Sequence, residues 1–398
     1  MSSNTPRLRP HLQVLRAPNQ FVLVDQLGLA KPTSLTPFET VLVQALDGKR
    51  SLHDLQVEAA PWFGEHATLE RVADFVRRLD EERFLDTPTF RAIADGPVRP
   101  PRCIGCYPAD PQGIREQLTA LFTHPQGPGL PRPPQPDPAF RAALVPHMDY
   151  HRGSVTYAWG FKEIFEKTAA SLFVIIGTSH HSRHRFTLTR KHFESPLGVL
   201  QTDQTFIDRV VSHYGGGLFD DEWLAHFPEH SIELEAVFLQ YLYEGKRDIR
   251  IVPLVVGSFH DCVQTGETPA CRDDIGRMID ALRRAEAETN EPICWIISGD
   301  LAHIGPKFNR GEELTDALLA RSHANDQAIL RQAEAADPIS YFHAIAHEGD
   351  ARNICGLPPT FVTLEATRPQ SGKLLHYARH LAPDRHESVS FASMAFYR

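Results

Sequence analysis

Three apolar runs in this chain are each followed at once by side chains that bind metals or move protons. Residues 142–145 lead to His147. Residues 172–176 lead through Gly177, Thr178 and Ser179 to His180 and His181. Residues 293–297 lead to Asp300 and His303. Elsewhere Glu229 and His230 stand at the start of a helical pattern. The runs are too short for globular helices and rich in β-branched and aromatic residues, which predicts strands buried on both faces. Parallel strands point their carboxyl ends the same way, so three such ends predict one shared cleft. Imidazole is the commonest metal ligand, and a carboxylate such as Asp300 orients a ligand or acts as a general base.

The elements that must position these residues alternate between strand and helix. Apolar spacing of three and four predicts helices near 154–167, 234–245, 272–288, 312–335 and 359–367. A further buried strand is expected at 249–256, with closing strands at 374–377 and 389–396, whose antiparallel pairing is left open. The fold class is therefore α/β, with a mostly parallel central sheet flanked by helices.

Residues 1–93 read as a separate module. Thr36-Pro37-Phe38-Glu39 offers a capping box with proline at the first helical position, and Ser51-Leu52-His53-Asp54 repeats the arrangement. A third helix carries Leu69, Val72, Val76 and Leu79, and residues 81–85 turn into a short extended end. Three short helices plus a small sheet predict a winged-helix-like α+β domain. Between Thr36 and Arg91 seven Lys/Arg face eleven Asp/Glu, a net of -4, which argues against phosphate binding. Residues 94–138 are expected to be a linker and the first helix of the main domain, and residues 139–398 the α/β domain. Asp110-Pro111 caps that helix, and seven of the fourteen residues from Pro125 to Pro138 are proline, which predicts an extended surface connector. Cys103-Ile104-Gly105-Cys106 is a lone CxxC. Such a pair serves in redox sites or half a zinc site, but with no second CxxC the reading of two ordinary turn thiols stands in front.

The 398 residues are 42% hydrophobic with net charge -9, enough for a full core and without whole-chain support for nucleic-acid binding. No apolar run approaches the ~18 residues that span a bilayer. The first twenty residues lack an apolar signal segment, and six cysteines make a poor disulfide framework. A cytoplasmic protein is expected.

The segments PHMDYHRGSVTYAWG, IIGTSHH, EHSIELEAVFLQYL, IVPLVVG, SGDLAHIG and NICG, in this order, resemble the Memo-like family, whose bacterial members are called AmmeMemoRadiSam system protein B. YPADPQGIREQL fits the family's N-terminal region, so the resemblance runs from about Cys103 to Arg398. It implies a fold similar to class III extradiol dioxygenases, which use non-haem Fe(II). Carried over residue by residue, it implies that His147, His180 and Cys355 hold a metal and that Asp300, His303 and the Glu229-His230 pair line the pocket. Cys355 alone would read as a structural thiol. Met148-Asp149 and Gly299 depart from the family's usual Ala-Gly and Ser, and Met148 and Asp149 are expected to narrow or recharge the entrance. In the front module, LDGKRSLHDL followed by FVRRLDEERFLD resembles PqqD-like modules, which recognise peptides beside radical-SAM enzymes.

Two imidazoles and a thiolate make a borderline-soft site suited to Fe(II), Cu or Zn better than Mg or Ca, and the resemblance puts Fe(II) first. The enzyme reading is a non-haem, metal-dependent oxidoreductase related to dioxygenases, acting on a small or peptidic substrate. In it His303 is the acid/base, Asp300 orients it, and His230 contacts substrate or oxygen. The other reading is a non-catalytic accessory protein whose cleft grips a peptide or a metal. A radical-SAM partner or a peptide would dock on the N-terminal module. His181, His151 and His184 are assigned to surface, packing or supporting positions.

Overall fold

The apolar run at 172–176 becomes the strand Leu172–Thr178 in the computed structural model, and all of its residues are buried. Parallel neighbours cover both of its edges. Ile293–Ser298 lies on one side, with Ile293 opposite Leu172 and Ser298 opposite Gly177. Arg250–Val256 lies on the other, with Val256 opposite Thr178. Phe140–Val145 extends the parallel set beyond Ile293–Ser298, and Gly198–Thr202 extends it beyond Arg250–Val256. This interior belongs to an 11-stranded sheet. Towards its margins antiparallel pairs appear: Ser388–Tyr397 pairs with Phe140–Val145, Ser371–Leu381 with Ser388–Tyr397, and His192–Ser195 with Gly198–Thr202, while the edge strand Val98–Arg99 pairs parallel with His192–Ser195. Helical crossovers join Phe140–Val145 to Leu172–Thr178 and Arg250–Val256 to Ile293–Ser298, whereas the short connections after Ser371–Leu381 and His192–Ser195 make hairpins.

Side chains alternate across the sheet into two cores. Leu172, Val174, Ile176, Trp295 and Ile297 face one side, against Gln204–Tyr214, Asp273–Ala287 and Leu357–Thr367. Phe173, Ile175, Cys294 and Ile296 face the other, against Pro111–Thr123, Val155–Lys167 and Glu233–Tyr243. On that side Phe161 and Phe238 stack with ring centroids 4.1 Å apart. A sheet covered on both faces by helices is the expected α/β architecture.

The structure describes residues 5–18, 20–309 and 311–398. They fold as two compact units, divided between Pro97 and Val98. The predicted helix near Asp110 forms as Pro111–Thr123 within the second unit. The proline-rich stretch has few N–H groups to offer. Two of them reach the end of Val155–Lys167: Gln135 donates to the Glu166 carbonyl (2.7 Å) and Asp137 to the Lys167 carbonyl (2.8 Å).

In the first unit Thr36 and Ser51 cap Pro37–Ala45 and Leu52–Phe63 with reciprocal capping boxes, and Leu69–Glu81 follows. Its sheet is antiparallel and built from Leu12–Ala17, Gln20–Asp25 and Thr33–Leu35, ahead of the helices. The stretch at 81–85 contributes only an isolated bridge between Leu85 and Leu8. Leu23, Leu35, Phe38, Leu42, Val76 and Leu79 form part of a separate core, and Arg9 and Asp25 make a buried ion pair at 2.6 Å. Among the described residues no helix is long and apolar enough to cross a membrane.

Candidate metal centre

Pro146 ends the strand Phe140–Val145, and His147 follows, 1% exposed. Its main-chain N–H donates to Asp300 Oδ1 (3.1 Å). Its Nδ1 lies 3.4 Å from Ser298 Oγ, and its Nε2 lies 3.1 Å from Cys355 Sγ. Burial, together with the His230 and His180 rings, holds its pKa well below the usual imidazole value.

His180 leaves the end of Leu172–Thr178 and is clamped by one carboxylate. Its N–H donates to Glu229 Oε2 (2.8 Å), and its Nδ1 lies 2.9 Å from Glu229 Oε1. A carboxylate only accepts, so Nδ1 carries a proton and Nε2 is the ligand position. Glu229 also accepts from the N–H groups of His230 (2.9 Å) and Ser231 (3.0 Å). Burial alone would raise its pKa, but the His180 ring and N–H, with the His230 ring, hold it well below the usual carboxylate range. Burial also opposes charge on His180, and Glu229 and the Cys355 sulfur override it and raise the ring's pKa.

Cys355 precedes the helix Leu357–Thr367. Its carbonyl accepts from Thr178 Oγ1 (2.7 Å), and its sulfur accepts from the Asp300 N–H (3.4 Å). Two glycines permit this approach. A Cβ on Gly299 would stand 2.6 Å from Gly356 Cα, and one on Gly356 would stand 2.6 Å from the Asp300 carbonyl oxygen. Burial raises the Cys355 thiol, and His180 opposes that rise.

Ligand atoms of His147, His180 and Cys355 therefore all lie within 4.8 Å of one another, as do those of His180, Glu229 and His230, and of Asp300, His303 and Cys355. The His230 ring stacks on His180 at 4.8 Å and meets His147 edge-on at 5.1 Å. Burial lowers its pKa to about 4. Burial pushes the Asp300 carboxyl up to about 7. His303 Nδ1 faces two carbonyls, Leu301 at 3.0 Å and Asn353 at 3.1 Å, so Nδ1 carries the proton. These carbonyls orient the His303 ring, in place of the expected Asp300, whose hydrogen bond goes to the His147 main chain. Burial lowers His303 to about 4. The exposed His181 meets the His180 ring at a centroid distance of 6.5 Å. His151 pairs with Gln117 (3.3 Å), and His184 is exposed.

Sequence reasoning passed over Ser298 and Glu235. Both are fully buried, with Ser298 Oγ 2.9 Å from Glu235 Oε1, and burial raises the Glu235 carboxyl well above its usual value. The available signal was the three glutamates of EHSIELE beside an apolar helix face. Two openings reach the cluster. A cavity of about 460 Å³ touches Thr178, Ser179, Phe259, Asn353 and Cys355, and one of about 720 Å³ touches His180, Arg183, Arg185 and His260.

A family model described as Memo-like protein matches residues 99–395. The chain is 26% identical over 394 residues to a MEMO1 family protein of Aquifex aeolicus (strain VF5), covering 95% of this chain and 96% of that one. It is 27% identical over 300 residues to a MEMO1 family protein of Methanopyrus kandleri, covering 73% and 96%. A MEMO1 family protein of Ignicoccus hospitalis is 33% identical over 166 residues, covering 40% and 56%.

Proposed function

The chain belongs to the Memo-like family, and from that premise we propose that His147, His180 and Cys355 hold one transition-metal ion at which a small or peptidic substrate undergoes redox or oxygen-linked chemistry. The observation that carries this reading is the meeting of three donors from positions 147, 180 and 355 within 4.8 Å. The donor set fits such an ion. Two imidazoles and a sulfur suit Fe(II), Cu or Zn, not Mg or Ca, with Fe(II) our assignment. Glu229 fixes the His180 tautomer as an outer carboxylate does in metal sites.

When bound, the ion would supply Lewis-acid or one-electron chemistry at the mouth of the two cavities. The chain's own residues do the rest. His303 keeps its proton on Nδ1 against two carbonyls, so Nε2 is the acceptor for a substrate proton. His230 presents its ring beside His180 to contact substrate. Asp300 ties His147 to the Cys355 loop. The unit before Val98 is the docking element for a radical-SAM partner or a peptide, and the working compartment is a reducing cytoplasm.

The test is anaerobic purification followed by elemental analysis of the parent, His147→Ala and Cys355→Ser. The parent should carry an ion, and each variant should bind it at least about tenfold more weakly. Metal content equal to the parent's in both variants would overturn the assignment. Bound metal without oxygen uptake, across phenolic and peptide substrates, would leave the protein a non-catalytic accessory.

A further inference from the structure

The CxxC at 103–106 lies outside the metal cluster, and the site described above gives it no task. The main chain folds it into a tight turn, with the Cys106 N–H donating to the Cys103 carbonyl (2.9 Å). Gly105 takes φ +110°, a left-handed value that an L side chain rarely adopts. A turn closed in this way brings its end Cα atoms within about 7 Å, which overlaps the span of a disulfide.

The turn is anchored on one buried carboxylate. Glu233 accepts from the N–H groups of Arg102 (2.9 Å) and Cys103 (2.8 Å), and also from the Tyr107 hydroxyl and the Arg99 guanidinium. Arg99 in turn donates to the carbonyls of His226 (2.8 Å), Phe227 (2.9 Å) and Glu229 (2.8 Å). The backbone holding the two sulfurs is thus fixed. The sulfurs themselves differ: Cys103 is 7% exposed, while Cys106 is partly open to solvent.

We infer that Cys103 and Cys106 form a thiol–disulfide exchange site for low-molecular-weight disulfides, with Cys106 attacking and Cys103 resolving. The electrostatics agree with that division. The hydrogen bond from the Cys103 thiol lowers the Cys106 pKa, and the same bond, with burial and the nearby Glu233 charge, raises that of Cys103 well above the usual thiol value. In the first step the Cys106 thiolate attacks one sulfur of the small disulfide. A sulfur–sulfur bond forms to Cys106, the original bond breaks, and its electron pair leaves on the displaced thiolate. In the second step the Cys103 sulfur attacks Cys106, and the Cys103 proton ends on the second departing thiol. The protein dithiol is oxidised by two electrons and one small disulfide is reduced to two thiols.

The full-length protein is equilibrated with mixtures of reduced and oxidised glutathione, quenched in acid, alkylated and mapped by peptide mass spectrometry. A Cys103–Cys106 bond should accumulate as the oxidised form rises. Cys103→Ser should trap glutathione on Cys106 about tenfold faster than on the exposed Cys271 of the same chain. Cys106→Ser should leave Cys103 unmodified. The inference fails if both thiols of the parent stay open to alkylation across the series. It fails equally if Cys106 in Cys103→Ser gains glutathione no faster than Cys271.

Discussion

Histidine has two fates here, and His226 shows the one that makes no site. Its Nε2 donates to the Thr187 carbonyl (2.9 Å), while its Nδ1 is buried without a partner. Burial, opposed by the Thr187 bond, pushes its pKa from 6.5 to about 4. Above pH 6.5 the ring is neutral in both folded and unfolded chains and adds no pH-dependent cost. As pH falls from 6.5 towards 4 the unfolded chain takes up the proton first, so stability is lost across that window. The loss reaches roughly 3 kcal/mol. Urea midpoints of the parent should therefore fall more steeply with acidification than those of His226→Gln, and parallel pH profiles would refute the assignment. At this scale the sequence was partly readable. His147 and His180 announce themselves as polar residues directly after buried strands. Cys355 does not, because NICG sits in a loop with no periodicity, and only its likeness to a family motif singles it out. Ser298 carried no signal of its own, and the only sign of Glu235 was a third glutamate in EHSIELE, because a carboxyl whose pKa burial raises reads in sequence like any surface glutamate.

Elements set the spacing within the cluster, and one close junction is Gly299 against Gly356. The end of Ile293–Ser298 and the start of Leu357–Thr367 touch there without side chains between them. Gly299→Ala should cost about 1–3 kcal/mol from overpacking. It should also lower metal content by moving the Cys355 loop away from His147, with the helical circular dichroism unchanged. Undiminished metal binding would show that the junction does not set the ligand distance. The buried strands were legible because burial on both faces leaves an unbroken apolar run. The helix Gln204–Tyr214 also carried its signal, with Phe206, Ile207 and Val210 on one face, and went unread. The front sheet had little to read. Leu12–Ala17 has no buried residue, so alternation never develops, and sequence reasoning placed extended structure at 81–85 instead.

At the scale of the whole molecule, the two units have separate hydrophobic cores. Removing residues 1–97 should leave metal stoichiometry unchanged and abolish capture of a radical-SAM partner or peptide. Retained capture would sink the docking role of the front unit, and lost metal would show that the second unit is not self-sufficient. The broad α/β class followed from alternating strand and helix patterns, and the antiparallel pairing of the closing strands, left open in the sequence, is observed between Ser371–Leu381 and Ser388–Tyr397. Those closing strands matter for biosynthesis. Phe140–Val145 bears His147 yet gains its outer neighbour only from Ser388–Tyr397, and Cys355 is supplied long after both histidines. A nascent polypeptide halted on the ribosome before residue 388 would display both imidazoles on an unfinished sheet. Pairings that distant along the chain form slowly, so the three donors come together late in folding.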